Sequence, residues 1–470
     1  MQDNLSHEEK IATIAEQLIN YSKSNQKKKI RFTHGSTNST RVQDKSENYI
    51  IDISSLNKIL EIDQEKKIAI VEPNVPMDML VAACLKVGLI PKVVMEFPGI
   101  TCGGGVNGAA LEASSYKYGQ FNDTCVEYEC ILADGTVVKA NEKENSGLFY
   151  GISGSYGSIA LLTSVTISLL PAKQYVNVRF IRVASKNVIS ELQKLVQKET
   201  YDYLDAIVFN EENAVIIVGN LTEAKHNPLV TFTQSTDEWF YLYAKQTLST
   251  DSSNEITVPI KDFLFRYDRG AFWMGKYAFV LFHIPFSKLL RRLLDPFMHT
   301  RTMYKALHNS NIAQELFLQD FYIPFSKTKD FIDFTNQQLG IFPLWLCPIR
   351  STNSPQYLSP HYLKEDMLID VGIWGTIPKN KDITHVNKLF EDYVLKIGGR
   401  KMLYAEAFYT EKFFWEIYNE KAYRNLRDVY KVKDIFPTVW EKTHVKKKYG
   451  INKWNGIKAV SKEFLGRKFD

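Results

Sequence analysis

Apolar residues recur along this chain with two different periods, and their alternation sketches the architecture before any motif is considered. Ile11, Ile14, Ala15, Leu18 and Ile19 fall at helical spacing within residues 8–22, which predicts an amphipathic helix opening the fold. After a lysine-rich polar stretch and the loop IRFTHGSTNSTR (30–41), the pattern shortens to the β-like runs YIIDIS (49–54) and KKIAIVEP (66–73). VPMDMLVAACLKVGL (75–89) reads as a helix that ends at Gly88. CVEYECILADGTVVKA (125–140) alternates on both sides of Asp134-Gly135, the mark of a hairpin. Residues 154–172 read as a glycine turn feeding a β-branched strand that stops at Pro171.

From about residue 175 the texture changes. YVNVRFIRV and DAIVFNEENAVIIVG predict strands of a second sheet with the helix VISELQKLVQKE between them, so a boundary is expected near 172–176. Residues 223–256 read as polar loop, QELFLQDFYIP as a helix, FPLWLCPI (342–349) and MLIDVGIWG (367–375) as strands. A helix is expected over 384–397 and a strand over 401–409. The expected class is α+β: a first domain over 1–174, a second over 175–400 with an antiparallel sheet, and a segment 401–470 returning to the first.

Bulk properties narrow the field. A chain of 470 residues is long for one core, and two or three domains are expected. The net charge of +5 is slight for that length and makes no case for nucleic acid. Cys84, Cys102, Cys125, Cys130 and Cys347 show no CxxC pair or companion histidine spacing, so they read as reduced thiols and no metal site is expected. The N-terminal stretch has no signal-like apolar region, and no apolar run reaches the roughly 18 residues a membrane span needs. A cytoplasmic protein is the expectation.

The densest chemical signal is PGITCGGGVNGAALEASSYKYG (98–119), with Gly99, Gly103, Gly104, Gly105 and Gly108 close together. Glycine is concentrated where backbone takes positive φ or approaches something bulky, and free N–H groups in such turns suit phosphate oxygens. Gly103, Gly105 and Gly108 spell GxGxxG, the nicotinamide fingerprint, but EFPGIT before it makes a poor strand. A second small-polar loop at 35–40 and a third glycine turn at 151–157 suit a longer dinucleotide. That points to FAD.

THGSTNST, the glycine-rich block, the ADGTVV hairpin and ENSGLFYGISGSYGSIALLTSVTISLLPAKQYV together resemble the FAD-binding domain of the vanillyl-alcohol-oxidase (PCMH-type) superfamily, which has two α/β subdomains. IFPLWLCPI, MLIDVGIWG, GGRKMLYAEAFYTEKFFWEIY and DIFPTVWEK resemble the delta-24 sterol reductase family, and this match covers nearly all the chain past residue 30. The resemblance implies that Gly35, Ser36, Thr37, Asn38 and Ser39 wrap the FAD pyrophosphate. It implies that Pro98, Gly99, Thr101, Cys102, Gly103, Gly104, Gly105, Asn107, Gly108 and Ala109 line the cofactor further along. Ser115, Tyr118 and Gly119 would border the flavin end, and Gly157 to Val165 would close over the adenosine. Superfamily members that bond flavin covalently carry a histidine where this chain has Asn38, so non-covalent FAD is expected.

The activity implied is reduction of an isolated carbon–carbon double bond in a sterol side chain, with NADPH as the electron donor. Such an alkene needs a positioned acid beside the incoming hydride. Tyr404 and Glu406 are the candidates: on a strand they would share one face, and a buried glutamic acid can stay neutral and donate. The alternative is that Tyr404 packs and Glu406 pairs with Arg400 or Lys401. Arg266, Tyr267 and Arg269 form a second cluster, read as surface cations or as contacts for cofactor phosphate. Trp345, Trp374 and Trp415 wall a sterol-sized pocket or an ordinary core. The family's animal and plant members carry an N-terminal membrane anchor, whereas this chain starts almost directly at the flavin domain, so peripheral membrane contact falls to the apolar 275–297 stretch and the basic tail 442–470. Two other classes remain open: an FAD-linked oxidase or dehydrogenase of an alcohol or sugar, and a sterol-binding protein without turnover. Oligomeric state is left undetermined.

Overall fold

The computed structural model describes residues 5–24, 27–35, 38–41, 47–249, 254–432, 434–445 and 448–466, the last five of these in backbone only. The opening helix, His7–Lys23, starts on a capping box: the Ser6 hydroxyl accepts from Glu9 N–H at 3.2 Å and the Glu9 carboxylate accepts from Ser6 N–H at 2.7 Å. Its apolar stripe, Ile11, Ile14 and Leu18, is buried as the periodicity predicts. β1 (Ile30–Thr33) and β2 (Tyr49–Asp52) form a short parallel pair.

The main sheet of the first domain contains β3 (Ile59–Asp63), β4 (Ile68–Val71), β5 (Leu89–Pro91), β6 (Cys125–Ile131), β7 (Val137–Ala140) and β8 (Leu161–Pro171). Its order is β3-β4-β8-β6-β7, with β5 pairing β8, and every pairing is antiparallel. No parallel strand feeds the glycine block, so the nicotinamide fingerprint is excluded by topology and not only by Pro98.

β8 runs almost directly into β9 (Tyr175–Ala184), which enters an eight-stranded sheet. The other strands are β10 (Tyr203–Val208), β11 (Asn213–Thr222), β12 (Glu255–Pro259), β13 (Leu316–Pro324), β14 (Leu344–Arg350), β15 (Met367–Thr376) and β16 (Arg400–Lys401). Their order, β12-β9-β11-β10-β14-β15-β13-β16, is again wholly antiparallel. Both faces are buried. Ile216, Leu346, Val371 and Phe321 face a cluster that the helices Val188–Lys198, Phe325–Leu339 and Ile383–Lys396 complete. Residues of the other parity, such as Ile217, Trp345, Trp374 and Tyr322, face the first domain.

Double burial explains one misreading. LFLQDFYIP was expected as a helix, yet it is β13, where Leu318, Asp320 and Tyr322 point one way and Phe317, Phe321 and Ile323 the other. A strand buried on both faces loses the polar alternation that would announce it. Residues 223–256 are also less irregular than expected, since the helix Phe240–Gln246 and the start of β12 fall there.

The C-terminal segment packs back onto the first domain. Ile30 N–H donates to Ile435 C=O at 2.7 Å, the Arg427 guanidinium bonds the Ser158 and Phe436 carbonyls, and Lys29 pairs with Glu441 at 2.8 Å. Residues 402–409 are not the expected strand: β16 stops at Lys401 and the chain turns, leaving an isolated bridge from Ala407 to His444. The 275–297 stretch breaks into two short helices, Met274–Leu281 and Lys288–Leu293. Among the described residues, no helix is long and apolar enough to cross a membrane.

Candidate active site

The glycine block folds as a short helix, Cys102–Gly108, capped by Thr101, whose hydroxyl accepts from Gly104 N–H at 3.2 Å. Its glycines are there for close approach. A Cβ on Gly103 would stand 2.6 Å from Pro73 Cβ, and one on Gly105 would stand 2.5 Å from Met95 Sδ and 2.9 Å from the Phe121 ring. The N–H groups of Gly103 and Gly105 are committed to the carbonyls of Pro73 and Thr101, at 2.8 Å each. The expectation of consecutive free donors for phosphate therefore fails at Gly103, Gly104 and Gly105, because the tight packing that needs glycine also consumes their amides.

Asn107 joins this helix to the third glycine turn. Its amide nitrogen donates to Gly103 C=O at 3.0 Å, and its Oδ1 accepts from Gly157 N–H at 2.8 Å and from the Ser155 hydroxyl at 3.2 Å. Ser39 and Arg41 of the first loop both reach the Tyr404 carbonyl, at 2.7 and 3.2 Å. Arg41 also donates to Lys442 C=O at 2.5 Å and lies over the Tyr156 ring at 4.9 Å. Lys442 Nζ donates to Gly157 C=O at 3.2 Å. The three small-residue segments and the C-terminal return thus meet in one place.

That place is part of a cavity of about 2160 Å³. Arg31, Arg41 and Lys442 line it beside Asn38, Ser39, Gly104, Asn107 and Gly157. Arg41 is 8% exposed, and among the described residues it has no ion-pair partner; burial lowers its pKa to about 10. A buried guanidinium served by carbonyls and a hydroxyl fits an anionic ligand. These groups fit a dinucleotide diphosphate.

Much of the remaining lining is apolar and aromatic. Phe272 packs 4.5 Å from Trp374 and 5.3 Å from Trp345, centroid to centroid, and Trp273 donates its indole N–H to Trp374 C=O at 2.9 Å. Met303, Tyr304 and Leu307 come from the helix Thr300–Ser310, and Trp454 and Val460 from Lys453–Gly466. Four carboxyls line the cavity, the exposed Glu315 and Asp382 and, deeper, Glu96 and Asp320. Burial pushes Glu96 up to about 8 and Asp320 up to about 7. Tyr404 connects the two regions, since its carbonyl is held by the first loop while its hydroxyl accepts from Trp374 Nε1 at 3.3 Å and faces Asp320.

Of the residues singled out from sequence, Asn38, Ser39, Gly99, Thr101, Gly103, Gly104, Asn107, Gly108, Gly157 and Tyr404 line the cavity. Ser36 and Thr37 lie outside the described residues. The others stand off the lining for identifiable reasons. Gly35 is an exposed turn at φ +79°, and Pro98 gives its carbonyl to Arg301 and Asp78. Cys102 is buried, Gly105 packs on Met95, and Ala109 is the left-handed cap of its helix. The Ser115 hydroxyl accepts from Glu112 N–H, Tyr118 packs on the core elsewhere, Gly119 turns tightly against Asp123, and Val165 is paired within β8.

Glu406 is parted from Tyr404 by the turn. It does not line the cavity, burial raises its pKa, and Lys401, Arg41 and Lys448 oppose that rise. Lys401 pairs with Glu391 at 2.7 Å and donates to the Glu406 carbonyl. Trp345 and Trp374 line the cavity, whereas Trp415 stacks on Tyr423. Arg266 and Arg269 are not surface cations: Arg266 bridges Glu112 and Asp205 at 2.9 Å each, and Arg269 pairs with Asp295 at 2.7 Å. All five cysteines are buried and unpaired. Sequence reading missed Arg41, Glu96 and Asp320, which carried no motif; an acid within the apolar run LFLQDFYIP was the one available signal.

Residues 11–141 match the family model described as FAD binding domain. The first domain binds FAD. The chain as a whole is similar to the delta(24)-sterol reductase of Homo sapiens, 28% identical over 399 residues, covering 83% of this chain and 76% of that protein. A delta(24)-sterol reductase homolog of Caenorhabditis elegans is 26% identical over 476 residues, covering 93% of this chain and 87% of its own. The delta(24)-sterol reductase of Arabidopsis thaliana is 27% identical over 444 residues, covering 85% and 77%. These alignments extend well beyond the FAD-binding domain into the sheet that carries Trp345, Asp320 and Trp374.

Proposed function

We propose that this protein is an FAD-dependent oxidoreductase that reduces an isolated side-chain double bond of a sterol-like lipid, with NADPH as electron donor. The observation that carries the reading is a single cavity with a basic, glycine-lined part and a large aromatic part, bridged by Tyr404. Asn38, Ser39, Arg41, Gly99, Gly104, Asn107, Gly108, Gly157 and Lys442 would hold the cofactor, whose diphosphate finds cations there. When bound and reduced, FAD supplies the hydride. The protein supplies a dry apolar wall, which excludes water, and an acid for the neighbouring carbon. Tyr404 is that acid in preference to Glu406, because it lines the cavity and Glu406 does not.

Stopped-flow absorbance tests the reading. NADPH should bleach the flavin and a delta-24 sterol should restore the yellow form. Bleaching by an alcohol with rapid return in air would favour the oxidase class, and a colourless protein that binds sterol would favour the non-catalytic one. Acid precipitation should leave the flavin in the supernatant, since Asn38 has no nucleophilic nitrogen for a covalent bond.

The substrate class also bears on membrane contact. Val280, Leu289, Leu293 and Trp454 are 62, 66, 64 and 71% exposed, and Val280 and Trp454 line the cavity where it opens. Lys276, Lys288, Arg292 and Lys453 are exposed beside them. An apolar rim flanked by cations suits the surface of an anionic bilayer. Residues 446–447 and 467–470 of the basic tail lie outside the described residues.

A further inference from the structure

Resting on the reductase reading above, we infer that Asp320 holds the proton consumed in the reduction and passes it through the Tyr404 hydroxyl to the substrate. The placement follows from β13. Leu318, Asp320 and Tyr322 share the parity that faces the cavity side, and Asp320 lies opposite Gly372 of β15. A Cβ on Gly372 would stand 2.9 Å from Asp320 Oδ1, so the absent side chain leaves room for the carboxyl. Oδ1 is buried and has no hydrogen-bond partner, and the Tyr404 hydroxyl and the Trp374 indole, joined to each other at 3.3 Å, are the polar groups that act on the carboxyl.

An unpartnered carboxylate oxygen in such a wall is costly, and a protonated carboxyl removes most of that cost. The groups facing Asp320 favour the acid form. Glu96 from the loop before the glycine helix and Asp370 from β15 are carboxyls that burial also pushes up, and Asp370 has neither oxygen partnered. Tyr304 from the helix Thr300–Ser310, Tyr322 on β13 itself and Tyr404 are phenols raised by burial. The groups that favour the Asp320 carboxylate are the Tyr404 and Trp374 donors, which are neutral, and they do not outweigh burial, which leaves its pKa at about 7.

The step balances. Bound FAD, reduced by NADPH, would supply the hydride that one alkene carbon takes as the π bond opens. The Tyr404 O–H bond breaks and its proton forms the new C–H bond at the neighbouring carbon. The Asp320 O–H bond breaks as its proton moves to the Tyr404 oxygen. Tyr404 ends neutral, Asp320 ends as a carboxylate, and solvent returns a proton before the next turnover.

The test uses the holoenzyme and separates its two half-reactions. In Asp320→Asn, flavin reduction by NADPH should keep the wild-type rate, while reoxidation by a delta-24 sterol should slow by about 10²-fold or more at unchanged KM. Wild-type reoxidation should fall as pH rises through about 7, and the Asn variant should lose that dependence. Asp320→Glu should recover part of the rate. Infrared titration of the wild type should show a protonated carboxyl band that is lost over the same pH range and shifts in Tyr404→Phe, a readout that stands even if Asp320→Asn fails to fold. An Asn variant reoxidised at the wild-type rate, or with the wild-type pH profile, overturns the inference. So does a wild-type infrared titration without that band. If sterol fails to reoxidise the wild-type enzyme, the reductase reading itself falls, and the inference with it.

Discussion

Replacing Arg266 with methionine should loosen the joint between the two domains, and the cost can be reasoned from its partners. Arg266 is 1% exposed and bridges Glu112 of the first domain to Asp205 on β10 of the second, at 2.9 Å each. Asp205 also accepts from the Tyr267 hydroxyl at 2.7 Å and from Trp345 Nε1 at 3.0 Å. Taking away the cation leaves two buried carboxylates facing each other. Breaking a buried charge set from one side costs about 3–5 kcal/mol. Thermal unfolding should therefore drop by about 5–10 °C. The sign of the pH dependence is specific. Burial raises the Glu112 carboxyl to about 7 even with the cation beside it, and removing the cation raises it further, so Arg266→Met should regain stability as pH falls through that value. The triple variant Arg266→Met, Glu112→Gln, Asp205→Asn should return most of the loss, because removing all the charges also removes the desolvation penalty. Melting followed by far-ultraviolet circular dichroism reads all three. An unchanged melting temperature in the single variant, or the same loss in the single and triple variants, would refute the reasoning.

Other outcomes can be checked alongside. Asp268 and Asp295 bond both His299 ring nitrogens and raise its pKa to about 9 at the start of the helix Thr300–Ser310. This stabilisation is complete below about 6.5 and is lost as pH rises through about 9, so melting scans should show a decline over that window that His299→Gln abolishes. Gly105→Ala pushes a methyl into Met95 and Phe121 and should destabilise by about 1–3 kcal/mol, with weaker FAD retention on gel filtration. Replacing Val280, Leu289 and Trp454 with serine should reduce cosedimentation with phosphatidylserine vesicles while leaving flavin reduction by NADPH unchanged; equal cosedimentation would count against the rim.

Much of the cofactor side was legible because it depends on local chemistry. The hairpin at Asp134-Gly135, the opening helix and the glycine block are written in short-range patterns, and the structure has strands at Cys125–Ile131 and Val137–Ala140 and a helix at His7–Lys23. Even there, the reason for the glycines was misjudged. Free amides were expected, but what decides the glycine at 103 and 105 is the nearness of Pro73 and Met95. Met95 lies 10 residues before Gly105 and Pro73 lies 30 before Gly103, and nothing in the chain's pattern says that they press on these glycines.

Sequence alone therefore determined the α+β class, the change of sheet near residue 175 and the set of segments that gather at the FAD-binding domain. It did so because turn chemistry and periodicity act over a few residues. Tertiary structure alone decided which side chains share the cavity. A two-residue strand followed by a turn separates Tyr404 from Glu406, and the parity of β13, hidden in a run buried on both faces, brings Asp320 to Tyr404 across a gap of more than 80 residues. Arg266 looked like a surface cation for the same reason: its two carboxylates lie in distant segments, and only packing brings them within hydrogen-bonding range.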